Sequence, residues 1–321
     1  MRSIAVRKDD IMAMQDDAPA WFRELAVRGR RSVREPMSRH CTWRAGGAAE
    51  RFFEPADLDD LVAFMRGLPA DEALTWIGLG SNLLVRDGGL RGTVILTARG
   101  LSPLTWLDRS TLRAGAGAPC AKAAKLAAKA GFTGGEFLAG IPGTIGGALA
   151  MNAGAFGHEI WRLVVAVDTI DRAGNVHHRA ANEYKASYRY INGPAYEWFL
   201  SGDLRFNADE DGVASGRIRA LLNLRNDTQP IGLPSCGSVF KNPPGDFAGR
   251  LIEAAGMKGA RRGGAYVSQK HANFIINDGS ASAADIEGLM EAVRARVLET
   301  SGQRLDHEVR IVGNADPEGA A

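Results

Sequence analysis

The sequence predicts an α+β protein built from more than one unit. Three observations carry this reading. Short apolar strand patterns alternate with capped helical stretches along most of the chain. Two glycine-rich segments, residues 78–89 and 134–157, punctuate that pattern. The length of 321 residues is enough for two domains or three small ones.

Bulk composition removes several function classes. Apolar residues make up 45% and charged residues 24%, the balance of an ordinary globular chain. A formal net charge of +2 gives no global attraction to nucleic acid or to an anionic membrane. No apolar run approaches the roughly 18 residues of a membrane span. The first 22 residues contain no continuous apolar segment, so no secretory signal is expected. Cys41, Cys120 and Cys236 are too scattered for a metal motif or a disulfide framework, and a cytoplasmic, reducing setting fits them.

Taken in order, residues 1–35 are charged and weakly patterned, with Trp21, Phe22, Leu25 and Val27 offering a short amphipathic helix. They read as an extension without chemistry of its own. From residue 36 a first unit begins. RAGGAAERFFEP is a glycine turn entering a strand, Asp57 caps a helix over Leu58, Leu61, Val62 and Met65, and LTWI and GTVILT are buried strands. Between those strands lies GLGSNLLVRDGG. It is not a Rossmann turn, because Leu83 stands where the third glycine of G-x-G-x-x-G belongs. No G-K-[ST] follows either glycine segment, so a P-loop is excluded as well.

A second unit is expected over 104–208. TLRAGAG is a strand, and residues 119–130 form a helix stopped by Gly131, with Lys122, Lys125 and Lys129 on a solvated face. The stretch 134–157 comes next, with eight glycines among its 24 residues. Glycine allows close backbone approach and positive φ, and a loop of this kind can present amides to an anion such as a pyrophosphate. Its apolar members, among them Phe137, Ile141, Ile145 and Leu149, argue against a flexible linker. A hairpin turns at Ala173–Asn175, and the adjacent His177 and His178 face opposite ways on its return strand. Arg189 sits among tyrosines, either stacked at the surface or anchoring a carboxylate or phosphate.

A third unit is expected over 209–314, followed by a tail from 315. It holds a helix ending before Pro230, the Pro/Gly loop 234–245, a helix ended by Gly256, two short strands in 264–277, and a helix capped by Ser282 and Asp285. RLDHEVRIVG closes the chain as a strand, with Asp306, Glu308 and Arg310 sharing one face.

Eight ordered pieces resemble the UDP-N-acetylenolpyruvoylglucosamine reductases, the flavin reductases of cell-wall synthesis. They are RAGG at 44–47, GLGSNLLVRDGG at 78–89, GAGAP at 115–119, GIPGTIGGALAMNAGAFG at 140–157, Tyr188-Arg189, GSVFKNP at 237–243, HANFIIN at 271–277 and HEVRIVG at 307–313. The resemblance implies two α/β subdomains clasping FAD in the vanillyl-alcohol oxidase style, followed by an α+β substrate domain. It places Gly78, Gly80, Ser81, Asn82 and Leu83 at the FAD pyrophosphate. Ile141, Pro142, Gly143, Thr144, Gly146 and Gly147 would continue that cradle, and Asn152 and Gly154 would line it near the isoalloxazine.

The resemblance also assigns chemistry. Ser238 would donate a proton, and Arg189 and Glu308 would stabilise the substrate carboxylate. Glu308 can do so only if it is protonated or shares a proton, so a raised pKa is expected. Tyr188, Lys241 and Asn242 would meet substrate, and no metal is implied. Cys236 reads as a packing residue. Leu79 replaces a glycine that the family often has, which the loop tolerates if Leu79 keeps a negative φ. Tyr190 and Ile191 differ from the residues that usually follow the arginine. Arg189 and Ser238 are 49 positions apart, the spacing of the family's shorter form. The expected activity is NADPH-dependent reduction of a UDP-sugar enol ether by a cytoplasmic monomer, without nucleic acid or membrane insertion. The alternatives are another oxidoreductase of the same flavin fold, and a silent flavin- or nucleotide-sugar-binding protein.

Overall fold

Capping residues and core-facing stripes set the element boundaries. The computed structural model describes residues 18–315, so most of the expected tail and the first half of the expected extension lie outside the described residues. A short helix α1 (Ala20–Glu24) turns Phe22 inward. Strand β1 (Arg30–Pro36) then pairs antiparallel with β2 (Ala48–Glu54). Residues 18–36 therefore belong to the first unit: Phe22 packs with Phe53 and Phe64, whose rings stack at 4.0 Å. The charged alternation RRSVREP hid this strand from sequence patterning.

Helix α2 (Leu58–Arg66) is capped as expected, with Asp57 accepting from Asp60 N. Strands β3 (Leu74–Ile77), β4 (Leu83–Val85) and β5 (Leu90–Leu96) follow. The first sheet has the order β1-β2-β5-β3, with β2 and β3 each parallel to β5.

The second unit contains β6 (Leu104–Trp106), β7 (Thr111–Gly115), helix α3 (Cys120–Lys129), helix α4 (Ile145–Met151), and the hairpin β8 (Val164–Asp171) and β9 (Val176–Ala180). A small hairpin of β10 (Lys185–Ser187) and β11 (Tyr190–Asn192) leads to β12 (Glu197–Arg205). The sheet order β9-β8-β12-β7-β6 is antiparallel throughout. The glycine stretch 134–157 is not a continuous loop, because seven of its residues form α4. Gly146 lies in that helix because a Cβ there would approach Ala116 to 2.8 Å. Close packing overrides the low helix propensity of glycine.

Helix α5 (Ala214–Thr228) buries Ala214 and Ile218, and Ile218 joins the second core. The third core therefore takes shape after α5, beyond the expected break at 209. It gathers α6 (Ala248–Ala254), the antiparallel β13 (Arg261–Arg262), β14 (Ala265–Val267) and β15 (Ile275–Asn277), and α7 (Ala283–Ser301). Helix α7 carries the expected Ser282/Asp285 capping box and ends at Gly302 with φ 69°. This core also takes in Trp43, Ala45 and Leu84 from the first unit. Trp43 is fully buried and donates Nε1–H to Ile275 O at 2.8 Å. The closing strand is shorter than expected. Only Arg310–Val312 forms β16, which pairs parallel with β4, while His307 bridges Phe240. The third unit is thus stitched into the first at two places, and the site forms along that seam.

Candidate active site

The two glycine segments meet face to face. Gly78 follows β3, and a Cβ there would come within 2.2 Å of Thr144 Oγ1. Gly80 has φ 59°, and its Cβ would meet His40 O at 2.0 Å, so both conformation and contact demand glycine. A Cβ on Gly143 would sit 3.2 Å from Ser81 Oγ, and one on Gly147 would meet only Thr144 Oγ1, at 3.7 Å. Thr144 is 1% exposed, and its hydroxyl is buried without a hydrogen-bond partner among the described residues. A bare, close-packed backbone around an unsatisfied hydroxyl fits a ligand that brings its own acceptors, as a pyrophosphate does. Leu79 is absent from the residues with positive φ, as the substitution requires.

The remaining cofactor candidates divide by position. Pro142 is exposed at the cradle, whereas Ile141 is buried in the second core. Leu83 lies in β4 and packs with Ile77, Val85 and Val94, so its side chain serves the first core rather than the cradle. Gly146 packs on Ala116 and supports the cradle from behind. Asn82, Asn152 and Gly154 also bond to substrate-side residues.

A cleft of about 520 Å³ runs from Gly78, Ser81 and Pro142 to Cys236 and Gly237. Arg39, His40, Arg44, Arg99 and Arg225 also line it, and none of its described lining residues is acidic. Such a cleft suits an anionic ligand. Burial pushes the Arg225 guanidinium below its ordinary value. A larger cavity of about 640 Å³ lies across the Pro230–Leu233 loop, but no residue of either glycine segment lines it. The smaller cleft is the one that the glycine segments line, and Arg189, Ser238 and Glu308 are not among its lining residues.

Arg189 and Glu308 meet outside the lining of this cleft, with the Glu308 charge felt at Cys236. Arg189 is the second loop residue of the β10–β11 hairpin, where Ser187 pairs with Tyr190, and it adopts φ 55°. A non-glycine residue in that region is strained and is held by its surroundings. Arg189 Nε donates to Glu308 Oε1 at 2.6 Å, Nη2 reaches Gly154 O at 3.5 Å, and the guanidinium lies over the Tyr188 ring at 5.0 Å. These contacts provide the support that the unusual Tyr190 and Ile191 left open. Burial raises the Glu308 carboxyl above its ordinary value, although Arg189 and Lys241 pull it back. Cys236 is buried at the edge of the cleft; burial, with the Glu308 charge second, pushes its thiol up, as a packing residue requires.

The segment carrying Ser238 runs alongside Glu308. Glu308 N donates to Val239 O at 2.8 Å, and Lys241 N donates to Asp306 O at 2.9 Å. Asn273 clamps the same segment, accepting from Phe240 N at 3.0 Å and donating to Phe240 O at 2.8 Å. Ser238 is thus one residue from a backbone contact with Glu308, and Lys241 is close enough to act on its charge. Tyr188 is 47% exposed beside Arg189. Asn242 does not join them: its Oδ1 accepts from Ala248 N at 3.1 Å and so caps α6.

Sequence reasoning assigned no role to Trp43, which crosses the seam, or to Glu159 and Asn273, which hold Asn152 and the Ser238 segment. Only the buried-polar rule could have flagged Asn273, and its burial is invisible before folding.

The facing glycine segments and the Arg189–Glu308 pair fit an FAD-binding oxidoreductase, and the class is shown by residues 49–179, which match the FAD binding domain family. Residues 229–312 match the C-terminal domain of UDP-N-acetylenolpyruvoylglucosamine reductase. The chain is 56% identical to the UDP-N-acetylenolpyruvoylglucosamine reductase of Alkalilimnicola ehrlichii over 281 residues, covering 88% of this chain and 94% of that one. Identity to the Methylococcus capsulatus reductase is 54%, covering 88% and 92%. The crystal structure of the reductase from Thermus caldophilus superposes with a TM-score of 0.74 at 31% identity, covering 88% of this chain and 98% of that one. The chain belongs to the UDP-N-acetylenolpyruvoylglucosamine reductase family.

Proposed function

We propose that this chain uses FAD and NADPH to reduce UDP-N-acetylglucosamine enolpyruvate to UDP-N-acetylmuramate, a step of cytoplasmic peptidoglycan precursor synthesis. The observation that carries the residue roles is the 2.6 Å contact between Arg189 and a carboxyl whose burial favours its protonated form. Gly78, Gly80, Ser81, Gly143, Thr144 and Gly147 would hold the FAD pyrophosphate. Bound FAD supplies a hydride, taken from NADPH, to the terminal carbon of the enolpyruvyl double bond.

The chain's own residues manage the charge and the proton. Hydride addition leaves an electron pair on the adjacent carbon, delocalised into the substrate carboxylate. Arg189 and protonated Glu308 place a cation and a hydrogen-bond donor where that charge accumulates. Ser238 Oγ gives its proton to the carbon, completing the lactyl ether, and regains one from water. A hydroxyl is a weak acid in water, but an enolate is a strong enough base to take its proton. Lys241 and the arginines of the cleft would receive the substrate's phosphates.

The test is anaerobic. Protein reconstituted with FAD and desalted should bleach with NADPH, then regain its colour on addition of the enolpyruvyl substrate, with one UDP-N-acetylmuramate formed per flavin. A flavin that bleaches but is not reoxidised by that substrate would reject the substrate assignment.

A further inference from the structure

Two asparagines lie where the glycine segments meet the Arg189–Glu308 pair. Asn82 follows Ser81; its Nδ2 donates to Glu308 O at 3.1 Å, and its backbone carbonyl accepts from Arg310 N at 3.1 Å. Asn152 closes α4 in the left-handed conformation, with φ 47°, and is 0% exposed. Its Nδ2 donates to Glu159 Oε2 at 2.7 Å and to Ser187 O at 3.0 Å, and its Oδ1 accepts from Trp161 N at 3.4 Å. An amide nitrogen has two hydrogens, and both are spent on protein acceptors.

The destinations of these bonds matter. Ser187 ends β10 two residues before Arg189, and Gly154, two residues after Asn152, accepts from Arg189. Lys185, Ala186, Ser187, Tyr188 and Tyr190 are exposed, so the tip of this hairpin has little packing to fix it. The Asn152 bond to Ser187 O and the Arg189 contacts supply what packing does not. On the other side of the pair, Asn82 grips the backbone of Glu308 itself. Each asparagine thus connects one flavin-side segment to one member of the pair.

We propose that Asn82 and Asn152 are positioning residues that hold Glu308 and Arg189 in register with the flavin cradle. The proposal rests on the function proposed above for that cradle and pair. Hydride transfer needs the acceptor carbon set against the flavin, and the substrate carboxylate is clamped by Arg189 and Glu308. A strut from cradle to clamp fixes that relation. Misplacement of about 1 Å costs roughly a hundredfold in rate. Glu159 fixes which way the Asn152 amide faces.

The test uses the FAD-loaded full chain with Asn152→Gly, Asn82→Ala and Glu159→Gln. Glycine keeps the left-handed backbone at residue 152 and removes only the amide. In Asn152→Gly and Asn82→Ala, FAD retention and bleaching by NADPH should match the parent. Reoxidation by the enolpyruvyl substrate should fall roughly 10- to 100-fold. Binding of UDP-N-acetylmuramate, followed by the spectral shift of oxidised flavin, should weaken in parallel. Glu159→Gln keeps an acceptor for the same amide and should stay near the parent. Parent-like reoxidation in both asparagine variants would overturn the proposal. So would loss of FAD or an equal fall in bleaching, since the amides would then serve the cofactor or the fold. If the parent's own reduced flavin is not reoxidised, the substrate assignment fails separately. Amide hydrogen exchange over 185–192 still reads the strut in that case: faster exchange in Asn152→Gly supports it, and unchanged exchange overturns it.

Discussion

Glu35 and Glu308 have nearly equal side-chain exposure, 9% and 11%, yet their surroundings drive them in opposite directions. Burial opposes ionisation at both. At Glu35, His40 Nε2 lies 2.7 Å away, Arg30 donates twice at 3.2 Å, and Ser32 Oγ donates at 2.9 Å. These bonds outweigh burial and hold the carboxyl at about 2. Glu308 has one close donor, Arg189, and a more distant Lys241, and burial wins. The lesson is that donors and depth act together in deciding whether a carboxyl is a structural anion or a group that can hold a proton for chemistry.

The contrast can be broken from either side. The largest effect is expected from Ser238→Ala, which leaves both carboxyls alone and removes the proton donor. Reoxidation of reduced flavin by the enolpyruvyl substrate should fall about 1,000-fold while bleaching by NADPH stays normal, as stopped-flow absorbance will show. Glu308→Ala removes the protonated carboxyl's hydrogen-bond donor and should slow the same step roughly 100-fold, and Glu35→Gln should not slow it.

Glu35→Gln should act on stability instead. Its carboxyl is held below the ordinary 4.5, so its contribution is present above that value and is lost as pH falls from 4.5 towards 2. At pH 7 urea unfolding should show a loss of roughly 3 kcal/mol, and the gap between variant and parent should close on acidification. At Glu308 the sign reverses. Its raised carboxyl favours the protonated form, so reoxidation should decline as pH rises through its titration. Lys241→Met removes a charge that lowers this carboxyl, and the declining limb should move to higher pH. The smallest effect is expected from Leu79→Gly. Leu79 already has an unstrained backbone, so calorimetry should show a change below about 1 kcal/mol and FAD affinity should hold.

Local chemistry made much of this fold legible before any coordinates. Asp57, Gly131, Ser282 with Asp285, and Gly302 mark helix ends by their own hydrogen bonds or backbone freedom, and those ends fall where expected. Ordered motifs pointed to the proposed cradle residues and to Arg189, Ser238 and Glu308, of which the structure pairs Arg189 with Glu308. What failed to show was non-local. Helix α4 looked like loop because the reason for Gly146 is Ala116, 30 residues earlier. Strand β1 is a strand because β2 pairs with it, not because RRSVREP alternates. The contact between Glu308 and Arg189 could not be read because the two residues are 119 positions apart. Asn82, Asn152 and Asn242 carried the right motifs, but a motif does not say which neighbour an amide will meet.

The most direct test of the account is a carboxyl-region infrared titration of the FAD-loaded protein, with Glu308→Gln and Glu35→Gln subtracted to isolate each group. The account predicts a Glu308 carboxyl that stays protonated above 4.5 and a Glu35 carboxylate that stays ionised down to about 2. A Glu308 band that titrates at or below 4.5 would contradict it, because the site would then present an anion to the substrate's own carboxylate.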